Sequence, residues 1–190
     1  MKPPPDEPIF APTGKRRDRG GEGVPEVFVA DEQHDEPVDV VRWGRLAEQV
    51  LEAEGVRGAA ELSLLFVDEL SITELNERWL DGQGSTDVLA FPIDDDLVEV
   101  GRSPDSGSTG PDRSPPEPGD SPVMLGDIVI CPAVAKRTAP QHAGTYDDEI
   151  ALLVVHGILH VLGMDHADEE ETAVMQQRER ELLERFFYQR

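Results

Sequence analysis

Residues 147–166 read DDEIALLVVHGILHVLGMDH, and the rest of the chain is read outward from them. From 147 to 162 the stretch is strongly apolar apart from its first three positions, which predicts a buried helix. Asp147, Asp148 and Glu149 then put negative charge at the positive end of the helix dipole. His156 and His160 are four residues apart, so they project from one helix face a single turn from each other. Gly163 comes where the helix should end, and glycine readily takes the left-handed conformation that reverses the chain. Such a turn brings His166 back beside the other two. The expectation is a metal centre of His156, His160 and His166, carried on a core helix and the turn after it.

Three imidazoles leave one position of a tetrahedral ion open, the arrangement of catalytic zinc and not of closed structural zinc. All-nitrogen ligation suits zinc, and also nickel, copper or iron. Bound zinc can lower the pKa of its water to about 7, which supplies hydroxide at neutral pH. The chain has five histidines in 190 residues, so three of them spaced i, i+4 and i+10 around a glycine are improbable by chance. His34, in an acidic stretch, and His142, in a loop, are expected to be ordinary surface residues.

The same pattern overlaps the zincin signature HExxH and its longer metzincin form at the three histidines and the glycine. In those proteases the glutamate after the first histidine is the general base. Here that position is Gly157, so peptide hydrolysis by that route lacks its base. A glutamate placed there is expected to leave zinc bound and to repel phosphate, by about 3 kcal/mol at ~5 Å and an effective dielectric near 20. Asp165 precedes the third histidine and is expected to orient an imidazole or cap the turn.

Outward from the helix, apolar periodicity predicts strands over 27–30, 61–67, 87–91 and 126–130, with Pro92 and Pro132 ending the last two. Helical spacing covers 38–54 and 72–80, the latter with Ser71 as N-cap, and a short helix is expected over 133–142. Asp168, with Glu171 in the capping-box position, opens a last helix running to about residue 187. Strands mixed with helices, without a regular βαβ repeat, indicate an α+β fold in which a small mixed sheet packs with helices. Two segments fall outside that pattern. Residues 1–23 contain a PPP run and a KRRDRGG cluster, and residues 94–121 carry eight acids against two arginines among many Pro, Gly and Ser. Neither composition repays the entropy of ordering, so both are expected to be disordered, around a single domain over 24–190 interrupted at about 94–121.

Composition limits the class of function. No apolar run approaches the ~20 residues of a membrane span, and the N-terminus has no apolar core of the kind a secretory signal needs. One cysteine, Cys131, permits no internal disulfide. A cytoplasmic protein is the simplest expectation. The formal net charge of −23 has the wrong sign for a protein that grips nucleic acid by phosphate neutralisation. Lys136 and Arg137, against Asp127, make 121–146 the one positive region of the core and could form a small phosphate-binding rim.

The motifs together resemble the YbeY family, bacterial single-strand endoribonucleases linked to ribosomal RNA maturation and ribosome quality control. HGILHVLGMDH at 156–166 is similar to the family's H-G-x-L-H-x-x-G-x-D-H at every fixed position. TDVLAFP at 86–92 is similar to its T-[DN]-V-L-S-F-P, with Ala90 in place of serine. LGDIVI at 125–130 is similar to its L-G-D-I strand, and Glu74-Leu-Asn76 fits the helix before them. The resemblance implies a zincin-like α+β fold, one zinc ion on the three histidines, and action on single-stranded and ribosomal RNA and the ribosome in the cytoplasm, with no DNA substrate. Many members carry an arginine four residues after the helix asparagine; counting from Asn76, that position is Leu80 here. Arg78 is the candidate stand-in, although it lies about 200° round the helix from position 80. Three functions compete: a zinc-dependent endoribonuclease, a ribosome-assembly or binding factor with a mainly structural zinc, and a metallopeptidase. The first leads, and Gly157 weighs against the third.

Overall fold

The computed structural model describes residues 24–80, 82–93, 122–164 and 168–189. The expectations placed on 1–23, on 94–121, and on Asp165 and His166 fall outside the described residues.

The core is written in the alternation of the strands. In β2 (Ala60–Phe66), Leu62, Leu64 and Phe66 point to one face and Leu65 to the other. Extended backbone sends successive side chains to opposite sides; Glu61 and Ser63 leave the second side part-exposed at the start of the strand, and from Leu64 to Phe66 both sides are buried and the residues are all apolar. It is flanked by β1 (Glu26–Asp31) and β4 (Val123–Ile130), parallel to both. β3 (Val88–Pro92) adds to β4 in the antiparallel sense, giving the order β1-β2-β4-β3. The result is the expected α+β fold with a small mixed sheet. Pro92 is the last residue of edge strand β3, a place where a missing N–H is tolerated. Between β2 and β4 the register slips at Glu61/Leu62, so Leu125 is an extra residue just before Gly126.

Helices cover the two faces unequally. On one face α1 (Val40–Ala53), α4 (Tyr146–Val161) and α5 (Glu169–Phe186) share a core with Leu62, Leu64, Phe66, Ile128 and Ile130. On the other face α2 (Glu69–Trp79) sets Ile72 and Leu75 against Leu65, Leu89 and Val129, joined by Val134 of α3 (Pro132–Thr138) and the buried Cys131. The short helix expected over 133–142 is therefore α3 followed by one 3-10 turn, Ala139–Gln141. α2 begins earlier than its apolar spacing suggested. Its N-cap is Asp68, whose carboxylate accepts from the Ser71 N–H at 2.8 Å, so Ser71 is the residue being capped and not the cap. A carboxylate at this position holds a bare N–H and also meets the helix dipole. α5 opens as expected, with Asp168 accepting from the Glu171 N–H at 2.8 Å. Among the described residues no helix is long and apolar enough to cross a membrane.

Candidate metal centre

α4 carries the histidines, and its first turn is fixed by four polar residues. Thr145 is the N-cap and forms a reciprocal capping box with Asp148. Asp147 pairs with Arg42 of α1. Glu149 is fully buried, faces His142 Nδ1 at 2.9 Å and accepts from the Ala143 N–H at 3.2 Å. The three acids read as a dipole signature thus have separate jobs, and Glu149 fastens the preceding loop to the helix. Counting Glu149, ten residues of α4 are buried, which makes this helix the centre of the larger core.

His156 and His160 emerge from this buried helix half-exposed, with their Nε2 atoms 3.1 Å apart and their rings nearly perpendicular at 79°. Two imidazole nitrogens on one tetrahedral zinc at about 2.0–2.1 Å would stand about 3.3 Å apart, so this donor pair fits a shared ion with almost no movement. The helix ends where the sequence indicated. Gly163 has φ +87°, its N–H bonds back to the His160 carbonyl at 2.9 Å, and Met164 N–H reaches the Leu159 carbonyl at 2.9 Å. This glycine-terminated turn keeps Leu162 and Met164 packed against the larger core. His166, the expected third ligand, lies outside the described residues, and among the described residues no cluster of three His, Cys, Asp or Glu side chains is assembled.

On the other side of His156, Nδ1 lies 2.7 Å from Oε1 of Glu179, a residue of α5 that is only 8% exposed. Glu179 had no place in the sequence reading because α5 looks like a highly charged surface helix. A signal was nevertheless present. Met175, Glu179, Leu182 and Leu183 recur at helical spacing and are the buried residues of α5, so one carboxylate sits in an otherwise apolar stripe.

The remaining candidates fall elsewhere. Arg78 is exposed on α2, with its guanidinium 5.2 Å above the Trp79 ring, and α2 and α4 pack on opposite faces of the sheet. Leu80 is the C-cap of α2 and 49% exposed. Asn76 donates its side-chain N–H to the Gly84 carbonyl at 2.9 Å, holding the loop that leads to β3. Lys136 and Arg137 do not form a free phosphate rim. Lys136 pairs with Glu36 at 2.6 Å, and Arg137 grips Glu69 through two bonds of 2.8 and 2.9 Å. The Arg137 guanidinium, helped by Ser85, holds the Glu69 carboxyl down to about 2. His34 is exposed as expected. His142 is exposed too, but its bond to buried Glu149 gives it a structural partner and raises its pKa above the ordinary 6.5.

Gly157 has a packing reason that its neighbours in sequence could not reveal. It is buried against the sheet, and a Cβ there would stand 2.7 Å from Ile128 Cγ2. Any side chain there must displace Ile128, so a glutamate cannot be installed beside the histidines without disturbing the helix–sheet contact. Gly157→Glu was expected to keep zinc and repel phosphate; the contact with Ile128 adds a cost to the fold that this expectation did not include.

The family profile described as Endoribonuclease YbeY matches residues 28–187, a span that includes every strand and helix above except the first two residues of β1. The chain belongs to the YbeY endoribonuclease family. Curated YbeY relatives agree with this assignment. The chain is 42% identical over 154 residues to an endoribonuclease YbeY of Mycobacterium sp. (strain KMS), covering 81% of this chain and 76% of that protein. It is 45% identical over 150 residues to one from Acidothermus cellulolyticus, covering 77% and 82%. Against one from Frankia casuarinae the figures are 41% over 157 residues, 83% and 72%. Among solved structures, a Thermotoga maritima protein solved in solution aligns over 84% of this chain and 90% of its own, with 21% identity and a TM-score of 0.49.

Proposed function

We propose that this YbeY-family chain is a zinc-dependent endoribonuclease that cuts single-stranded RNA in ribosomal RNA maturation and ribosome quality control. The observation that carries the reading is the convergence of His156 Nε2 and His160 Nε2, 3.1 Å apart at the end of a buried helix, in a member of an endoribonuclease family. His156, His160 and His166 would hold the ion in a zincin-like arrangement, with His166 delivered by the turn at Gly163. A zinc ion there supplies Lewis acidity toward a phosphodiester.

The chain's own residues do the rest. α4 is buried along most of its length, so the two imidazoles are presented from a rigid base and not from a loop. α4 ends at Val161, one residue after His160, and Gly163 turns the chain there, so the histidines lie in the last turns of the helix and are part-exposed. Lys136 and Arg137 pair with carboxylates, so neither is a free cation for phosphate, which favours RNA presented by a ribonucleoprotein over capture of free RNA by charge. The ribosome is the partner of that kind, in the cytoplasm, with neither DNA nor a membrane as substrate.

The deciding assay is cleavage of single-stranded RNA by the purified, zinc-loaded chain, with His156→Ala and casein as controls. Endonucleolytic products from the native chain, absent in the variant, with casein intact, are expected. Zinc bound but RNA uncut would favour an assembly factor with a structural ion. The replacement of the family arginine by Leu80, exposed at the end of α2, is the observation on that side. Casein hydrolysis would overturn both readings.

A further inference from the structure

We infer that Glu179 is a positioning residue of the metal centre: its carboxylate accepts the Nδ1–H of His156 and so turns the Nε2 lone pair toward the shared metal position. The inference rests on the metal reading above and assigns the outer partner of its first ligand.

Three observations carry it. The first is the contact itself, 2.7 Å from Nδ1 to Oε1, the short distance of a charge-assisted hydrogen bond. A carboxylate without a proton can only accept, so in a neutral imidazole the bond puts the one ring proton on Nδ1 and leaves Nε2 without one. The second is where that Nε2 points, toward His160 Nε2 at 3.1 Å. A neutral imidazole with the opposite tautomer would present a proton there and could not ligate. The third is the burial of Glu179 among Met175, Leu182 and Leu183. Burying a carboxylate is costly without a partner, and an apolar residue would suit this stripe better if packing α5 were the only purpose. The adjacent cation does not explain it: Arg178 reaches away to Glu54 at 2.7 Å and to Glu181 at 2.8 Å. A carboxylate on the far nitrogen of a metal-binding histidine fixes ring orientation and raises ligand basicity, and its loss commonly weakens metal binding about 10–100-fold.

The test uses the full chain as native protein, Glu179→Leu and Glu179→Gln. Leucine matches the apolar stripe; glutamine keeps an acceptor for Nδ1–H and removes the charge. Zinc affinity is measured by chelator competition, the His156 tautomer in the metal-free chain by nitrogen-15 NMR of its ring, and folding by thermal melting without metal. The native chain is expected to carry the His156 proton on Nδ1. Glu179→Leu should bind zinc about 10–100-fold more weakly and lose that tautomer preference, while melting no lower without metal. Glu179→Gln should keep the tautomer and fall between the two in affinity, a rescue that a packing role would not produce. Zinc affinity of Glu179→Leu within about two-fold of native, or a native His156 protonated on Nε2, overturns the inference while the metal reading stands. A native chain that takes up no zinc overturns both.

Discussion

Gly157 of α4 lies so close to Ile128 of β4 that a Cβ at position 157 would stand 2.7 Å from Ile128 Cγ2. Ile128 is fully buried and β-branched, in a strand paired on both sides, so it has little room to yield. Alanine would gain about 1 kcal/mol in helix propensity and lose about 1–3 kcal/mol to overpacking. Gly157→Ala is therefore expected to lower stability by an amount on the order of 1 kcal/mol, read from the urea midpoint. Gly157→Glu should fail to fold at all, and should yield no peptidase. A Gly157→Glu chain that folds and binds zinc like the native protein would show that the contact is soft.

Gly126 meets a harder wall. Its φ is +150°, and a Cβ would stand 2.4 Å from the Phe91 carbonyl oxygen, which is backbone of the neighbouring strand. Gly126→Ala must either part β3 from β4 or shift the bulge at Leu125. A destabilisation of about 2–4 kcal/mol is expected, with an unchanged denaturant slope. A loss under about 0.5 kcal/mol would mean that the sheet edge adapts freely.

His142 and Glu149 make stability depend on pH in a definite direction. The hydrogen bond to Glu149 raises the His142 pKa in the folded state above the ordinary 6.5. Its contribution is thus complete below about 6.5 and is lost as pH rises through the folded value. His142→Gln should cost more stability at about pH 5.5 than at about pH 8.5. The imidazole is largely exposed, so the difference should stay within a fraction of a kcal/mol to about 1 kcal/mol. Equal losses at both pH values would show that the pair contributes nothing as an ion pair.

Zinc should be bound at about one ion per chain, and His160→Ala should lose most of it by metal analysis. Because an ion that binds only the folded chain stabilises it by mass action, chelation should lower the native melting temperature and leave that of His160→Ala unmoved. Full zinc in the variant would move the centre elsewhere.

How much of this was legible beforehand depends on whether the information was local. The spacing of His156 and His160, the turn at Gly163 and the alternation in β2 are properties of neighbours along the chain, because helix and strand periods act over a few residues. The family likewise follows from contiguous motifs at 86–92, 125–130 and 156–166. The sheet order β1-β2-β4-β3 is not local: β4 inserts between β2 and β3, and apolar alternation does not say which strand pairs with which. Asp68 capping α2 in place of Ser71 shows the same limit at short range, since several polar residues can satisfy one N–H and only the backbone geometry chooses.

Lys136 and Arg137 looked like a free basic rim in sequence, and tertiary contacts with Glu36 and Glu69, 100 and 68 residues away, neutralise them. Glu179 looked like one more charge on a charged helix, and packing α5 against α4 across 23 residues set it on His156. Residue type and spacing along the chain therefore determined the histidine pair, its helix and its turn. Which charges face one another was decided by the tertiary structure, because side-chain electrostatics acts through space and sequence order does not encode that distance.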